Sequence, residues 1–416
     1  MVVATSVGFL RVLLVVDFYK PFIGGMERYV ESLAHYLNAR GHHVAVVTVR
    51  HGSAAEVESE ADITVYRVEG LQAHLPVRYS GARQTPVPFP DPVLRRSLES
   101  VIATEQPDII VTQGWMSYSV MAADRRGARL IMTLHDYGLV CARKVYLRRG
   151  TVCTGPSVLR CLQCAPGQFG WPKGVALALG LRAFRRLHRR VDQFVAVSGA
   201  VRDASAPGLV MPVRPIEVIP AFVDDDCSDL AAKIPRPEYL PQHDYLLFVG
   251  SLHPHKGVPQ LLEAHARLRN RLPLVLLGVP GVSLPPLEDD VIVRTNVPHD
   301  EVLAALYHAT VGVVPSQWAE PFSIVTVEAM ACGCPVVASD IGGLRDLVNH
   351  GVTGLKVPVN DIGALSAAID RLREDRELRD RMSVASRERS VTFTASQVGA
   401  RLEELYRQVL ARDRQP

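Results

Sequence analysis

Short apolar runs alternate with helical stretches twice over in this chain, and that alternation constrains its fold more than any other feature. Arg11–Val16 is the first run. Gly24-Gly25 then open a helical segment with Met26, Val30, Leu33, Ala34 and Leu37 on one face, Gly41 ends it, and Val44–Val49 follows. Strand, glycine loop, helix and strand make one βαβ unit, in which the strands run parallel and need cover on both faces. Further strand-like runs fall at Thr64–Val68, Asp108–Thr112, Leu130–Leu134 and Phe194–Val197, with helical stretches between most of them. A second series starts after the segment 215–224, with runs at Tyr245–Val249, Leu274–Leu277, Val291–Arg294, Val311–Val314, Val336–Ala338 and Gly354–Val357.

Two such series in 416 residues predict two α/β domains of about 200 residues each, both Rossmann-like and doubly wound around a parallel sheet. The expected boundaries are 1–222 for the first domain and 223–396 for the second. The helical segment 397–416, with Val398, Leu402, Leu405 and Val409 on one face, follows. Hydrophobic residues make up 48% and charged residues 21%, as in ordinary globular proteins. A net charge of +3 is too small to argue for nucleic acid, and no recognition module accompanies it. No apolar run reaches the roughly 18 residues that span a bilayer. The stretch Val2–Val16 lacks a basic start and a small-residue cleavage site, and reads as a leader into a buried strand rather than a signal peptide. The expected compartment is therefore the cytoplasm. Seven cysteines, an odd number, argue against a disulfide framework.

Residues 315–328 read Pro-Ser-Gln-Trp-Ala-Glu-Pro-Phe-Ser-Ile-Val-Thr-Val-Glu. Glu320 precedes a Pro-Phe pair and belongs in a loop, whereas Glu328 falls in a helix starting near Ser323. Ser323 as N-cap leaves the backbone N–H groups of Ile324 and Val325 to hold an anion. A carboxylate one turn further in suits a diol, so phosphate, sugar and ribose can bind side by side. This stretch, with Phe322 inside it, resembles the Glu-x7-Glu motif of the retaining family 4 glycosyltransferases, which have the GT-B fold. The resemblance continues through Ala329–Gly343 to Asn349-His350-Gly351-Val352-Thr353-Gly354-Leu355 and Val357. It implies a metal-independent retaining transferase, with Glu328 on the ribose, Glu320 on the sugar hydroxyls, and the amides of Ser323, Ile324 and Val325 on the phosphate. The implied partners are a nucleoside-diphosphate sugar and a carbohydrate, lipid-linked or natural-product acceptor. In GT-B proteins the last helix crosses back to the first domain, which 397–416 is then expected to do.

The family's other landmarks have counterparts. Gly24-Gly25 with Met26-Glu27-Arg28-Tyr29-Val30 resembles its first-domain glycine loop beside the donor phosphate; alone, a Gly-Gly pair is a tight turn. His135-Asp136 end a strand, where open α/β sheets bind ligands, and the family often carries a functional His there. Asp136 is expected to orient that imidazole or to contact the acceptor. Gly250-Ser251-Leu252-His253-Pro254-His255-Lys256-Gly257 resembles the family's Gly-Arg-x-x-x-x-Lys-Gly, with Lys256 matching as the cation for a leaving diphosphate. Ser251 departs from the family's Arg, and Arg294, His253 or a first-domain cation is expected to compensate.

Cys141, Cys153, Cys161 and Cys164 lie within one short stretch, the last two as Cys-x2-Cys. Four thiolates close a tetrahedral Zn²⁺ site of structural type. A knuckle rather than a helix is expected, because Gly150, Gly155 and Pro156 lie among them. An iron–sulfur cluster, a disulfide or reduced thiols use the same residues. Cys332 and Cys334 read as core packing. Leu181–Arg190, after Val175–Leu179, reads as one basic amphipathic helix with Leu177, Leu181, Phe184 and Leu187 on a face. Packing on the first sheet is the ordinary role for it, and peripheral contact of 175–190 with an anionic inner membrane face is the other. Two readings compete with a transferase: a GT-B epimerase or phosphorylase, and a non-catalytic, zinc-bearing carbohydrate- or nucleotide-binding protein.

Overall fold

The computed structural model describes residues 8–22, 24–52, 54–71, 85–210, 214–279, 281 and 285–412. Residues 2–7 of the apolar N-terminal stretch and 413–416 of the final segment lie outside them. The chain divides into two compact units: Met1–Tyr146, Cys153–Ile219 and Gly399–Pro416 form the first, and Leu147–Val152 with Pro220–Val398 the second. The change of unit thus falls at Ile219–Pro220. The last helix, Ala395–Ala411, begins in the second unit and ends in the first.

The first unit is built on eight strands: β1 (Arg11–Val16), β2 (His43–Val49), β3 (Val57–Glu60), β4 (Ile63–Val68), β5 (Ile109–Gln113) and β6 (Arg129–Leu134), then β9 (Gln193–Ala196) and β10 (Glu217–Val218) after a two-stranded hairpin of β7 (Leu147–Arg148) and β8 (Thr151–Val152). Their order is β10-β9-β6-β5-β1-β2-β4-β3, parallel except for the β3–β4 edge pair. Neighbours of β1 lie in the register Leu13↔Ala45 and Leu13↔Ile110. Leu13, Leu14, Val15 and Val16 are fully buried, which is why this strand reads as an unbroken apolar run rather than an alternating one. The turn from β1 to β2 runs through the helix Gly25–Ala39, whose Val30, Leu33, Ala34 and Leu37 are buried.

The second unit carries six parallel strands, β11 (Leu246–Val249), β12 (Leu274–Gly278), β13 (Val291–Thr295), β14 (Val311–Val314), β15 (Val336–Ser339) and β16 (Gly354–Val357), in the order β13-β12-β11-β14-β15-β16. Strand order reverses at β11, so the loops after β11 and β14 splay apart at their carboxyl ends, where such sheets bind ligands. A core of Leu246, Phe248, Val311, Val313, Val337 and Leu355 holds the sheet against the helices Val258–Ala266 and Ile362–Glu374.

Two expectations are corrected. The basic stretch is not one amphipathic helix: Trp171–Ala183 ends at Phe184 (φ −97, ψ 5), and Arg185–Arg190 continues as a tighter 3-10 turn. Leu177 and Leu181 face inward, while Phe184 is exposed. Cys161 and Cys164 lie not in an irregular knuckle but on the short helix Val158–Cys164. Leu159, Arg160 and Leu162 favour helix once Pro156 is past.

Candidate active site

In the second unit the loop after β14 brings Glu320 to a lysine, and the helix that follows brings Glu328 to an imidazole. Glu320 is 4% exposed, and its Oε1 accepts from Lys256 Nζ at 2.7 Å and from Ser316 Oγ at 2.6 Å. The ammonium also stands 5.2 Å from the centroid of the Trp318 ring. Two glycines allow this closeness. Gly257 has φ +82, and a Cβ there would collide with the Pro315 carbonyl. Gly342 has φ +55, and a Cβ there would run into the Glu320 backbone, while Gly343 N–H donates to the Glu320 carbonyl at 2.6 Å. The Gln317 N–H donates to the His255 carbonyl at 2.8 Å, tying the Lys256 loop to the Glu320 loop. Burial first, and Lys256 and His253 next, push the His255 imidazole down to about 4, so it stays neutral in this cationic corner.

Glu328 lies on the helix Ile324–Ala331, capped by Ser323, whose Oγ accepts from the Thr326 hydroxyl at 2.8 Å and its N–H at 3.3 Å. Ile324 and Val325 occupy the first turn, where the helix supplies no acceptor for their N–H groups. The Glu328 Oε1 lies 2.7 Å from His299 Nε2, at the start of the helix His299–His308. Phe322 packs edge-on against Phe393, with centroids 6.2 Å apart. Ser251 follows β11, two residues after Val249. Arg294 is in register with Leu277, itself opposite Val249, but its guanidinium stacks over Tyr239 and donates to the Val293 carbonyl. His253 stacks on His255.

The first unit has its own polar centre. Asp17, at the end of β1, is fully buried and accepts from the N–H groups of Trp115 (2.9 Å) and Met116 (2.8 Å). Lys144 Nζ lies 3.2 Å from Asp17, 3.8 Å from Asp136 and 4.4 Å from the Trp115 ring centroid. Burial would lower its pKa, but Asp17 and Asp136 outweigh that and raise it. Burial raises the Asp136 pKa against the opposing pull of Lys144 and of the Gly138 N–H, which donates at 2.6 Å. Asp136 thus turns to Lys144 and Gly138 and does not orient His135. The His135 imidazole stands edge-on to Tyr29, 4.4 Å between centroids, with Nε2 buried and unbonded. Burial holds its pKa down at about 3, leaving a neutral ring with a polar atom to offer. Gly24 caps the helix Gly25–Ala39 with extended backbone.

The four loop cysteines are partly buried free thiols. Cys153 and Cys164 both act electrostatically on the Cys141 thiol, and Arg143 donates to Cys164 Sγ at 3.6 Å. Among the described residues, only Glu31, His35 and Glu60 gather three ligand atoms within 4.8 Å of one another, so the thiols are neighbours without forming a closed tetrahedron. Lys20 lies 2.6 Å from both Glu31 and Glu60 and already pairs with both carboxylates. Cys332 and Cys334 are core residues, and Cys227 packs on Cys332, a hydrogen bond and burial raising its thiol pKa. His299, Ser316, Lys144 and Asp17 were not foreseen. Ser316 lies within the stretch 315–328 but outside its Glu-x7-Glu spacing, the other three stand in no recognisable motif, and the pairings span 4 to 127 residues of chain.

Residues 23–226 match the family described as Glycosyltransferase Family 4, and residues 233–389 match Glycosyl transferases group 1. The chain has the GT-B fold, and each half of it matches a glycosyltransferase model. Glycogen synthase of Mycobacterium tuberculosis H37Rv is 28% identical over 422 residues, covering 98% of this chain and 97% of that one. The D-inositol 3-phosphate glycosyltransferase of Kribbella flavida is 29% identical, covering 89% and 87%. Among solved structures, sucrose-phosphate synthase from Thermosynechococcus elongatus superposes with a TM-score of 0.73 at 22% identity, over 96% of this chain and 99% of that one. At that identity the superposition speaks for the fold, and both matched segments fall on the α/β units described above.

Proposed function

We propose that this glycosyltransferase moves a sugar, with retention at the anomeric carbon and without a divalent metal, from a nucleoside diphosphate to an acceptor hydroxyl. The observation that carries the reading is the geometry of Glu320. Its Oε1 is held by Lys256 and Ser316, eight residues before Glu328 and four before the helix whose first turn offers free amides. Both bonds fall on one oxygen, so Oε2 remains for the sugar hydroxyls. Glu328, steadied by His299, takes the ribose diol. The amides of Ser323, Ile324 and Val325 and the Lys256 ammonium receive the diphosphate, whose charge grows as it leaves. The bond from the anomeric carbon to phosphate oxygen breaks, the bond to the acceptor oxygen forms on the same face, and the acceptor proton passes to the leaving phosphate. No protein nucleophile is required. In the first unit His135, neutral and with Nε2 unbonded, keeps a hydrogen-bonding atom to offer.

A panel of nucleoside-diphosphate sugars, with release of nucleoside diphosphate followed in the presence and absence of EDTA, tests this. Release unaffected by chelator supports it; strict metal dependence, or an inverted product by NMR, sinks the metal-free retaining mechanism. The second proposal concerns the cysteine loop, where Cys141, Cys153, Cys161 and Cys164 hold a structural zinc. What supports it is their mutual approach and the Cys161–Cys164 pair one turn apart on a helix. A Zn–S length of about 2.3 Å demands closer thiols than these, so metal would draw the loop inward.

A further inference from the structure

A pocket of about 130 Å³ lies wholly within the first unit, between the cysteine loop and the helix Trp171–Ala183. Leu139, Val140, Leu162 and Leu181 make its walls apolar, and Arg182 and Arg185 also line it. Neither arginine has a carboxylate partner among the described residues, and the charge of Arg185 is felt by His188, whose pKa it lowers further after burial. The pocket therefore combines a greasy interior with uncompensated positive charge.

The surface around it is unusual in the same sense. A surface helix turns its apolar residues inward. Here Leu177 and Leu181 do so, but Trp171 is 74% exposed and Leu179, itself a pocket residue, 47%. Trp171, Ala178 and Arg182 follow one another at i, i+7 and i+11, which places the exposed indole, a pocket wall and a pocket arginine on one helix face. Leu159, next to the pocket residue Val158, is 74% exposed as well. Exposed apolar side chains, an apolar cavity and unpaired guanidinium groups together match one ligand chemistry, a hydrocarbon chain with an anionic head.

We infer that this pocket lodges the chain of an anionic lipid, with the headgroup at Arg182 and Arg185, and so holds the first unit on a membrane surface. The binding is independent of transfer chemistry. It is tested by calorimetric titration with dodecyl phosphate below its micelle concentration, alongside inorganic phosphate and dodecyl maltoside. Dodecyl phosphate should bind about tenfold or more tighter than either, because each of the others lacks half of the ligand. The R182Q/R185Q and Ala178→Phe variants should each weaken it about tenfold, and Leu179→Glu, a change at an exposed position, should do the same if the phenylalanine impairs folding. Vesicles of phosphatidylcholine with about 30 mol % phosphatidylglycerol should bind the wild type, and phosphatidylcholine alone should not. Equal binding of inorganic phosphate would identify a phosphate site, equal binding of dodecyl maltoside a neutral greasy one, and either overturns the inference. Vesicle binding that R182Q/R185Q abolishes but Ala178→Phe and Leu179→Glu leave intact would show surface charge alone and also overturn it. Nucleoside-diphosphate affinity should stay unchanged in all these variants, so a failure here leaves the transferase reading untouched.

Discussion

Lys256 Nζ lies 2.7 Å from Glu320 Oε1, so the cation meant for a leaving diphosphate is already bonded to the carboxylate meant for the sugar. The pair is coupled, and neither residue can be removed without leaving the other in an altered environment. Lys256→Ala should lower kcat/KM about 10²–10³-fold, through loss of charge stabilisation. Glu320→Gln should lower kcat with little effect on nucleoside-diphosphate affinity. The double variant should cost less than the product of the two single effects, since each single change strands a partner. Steady-state kinetics of the four proteins read this out; strictly multiplicative losses would show that the two side chains act separately.

Glu328 and His299 form the second coupled pair, 2.7 Å apart. Glu328→Ala should weaken nucleoside-diphosphate binding by roughly 1.5–3 kcal/mol, the worth of a hydrogen bond to a charged group. His299→Ala should weaken it less, because the carboxylate remains and only its anchor is lost. Calorimetry gives both values. A His299→Ala loss equal to or larger than that of Glu328→Ala would make the imidazole, rather than the carboxylate, the ribose contact.

What the sequence could show about this fold follows from its physics. The parallel strands were legible because burial on both faces makes them continuous apolar runs, as in Leu13–Val16. Strand β3, Val-Glu-Ser-Glu on an edge, carries no such run and was missed. Glu320, Ser323, Glu328 and Lys256 stand in recognisable spacing. His299 approaches Glu328 only through packing of two helices, and Lys144 reaches Asp17 from a loop residue with φ +61, so neither contact leaves a local pattern. The break at Phe184 was hidden because the apolar spacing runs straight across it. The pocket is assembled from four separate stretches, and no single stretch announces it.

The cysteine loop gives a chemical test. Freshly reduced protein should carry roughly one zinc per chain, and a chelator should lower its melting temperature, because metal-binding free energy is folding free energy in such loops. Cys161→Ser or Cys164→Ser should lower both metal content and stability. Elemental analysis showing neither zinc nor iron would remove the metal, and chelation without thermal loss would remove its structural role.

His188 supplies a test of acid sensitivity. Its side chain is fully buried, Nε2 lies 3.3 Å from the Tyr118 hydroxyl, and burial, aided by Arg185, depresses its pKa to about 4. In the unfolded chain the same group titrates near about 6.5. A depressed imidazole pKa leaves stability complete above the unfolded value, because neither state then binds the proton. As the pH falls from 6.5 toward 4, the unfolded chain takes up a proton that the fold refuses, and stability declines. Between pH 7 and pH 5 one such group removes about 2 kcal/mol. His135 and His255, depressed to about 3 and about 4, act in the same direction. The melting temperature should therefore drop from pH 7 to pH 5. His188→Gln keeps a polar group toward Tyr118 and removes the titration. It should be less stable at pH 7 yet lose less on acidification, so the two stability–pH curves converge near pH 5. Parallel curves would mean that His188 takes up its proton within the fold and that another group drives the acid loss.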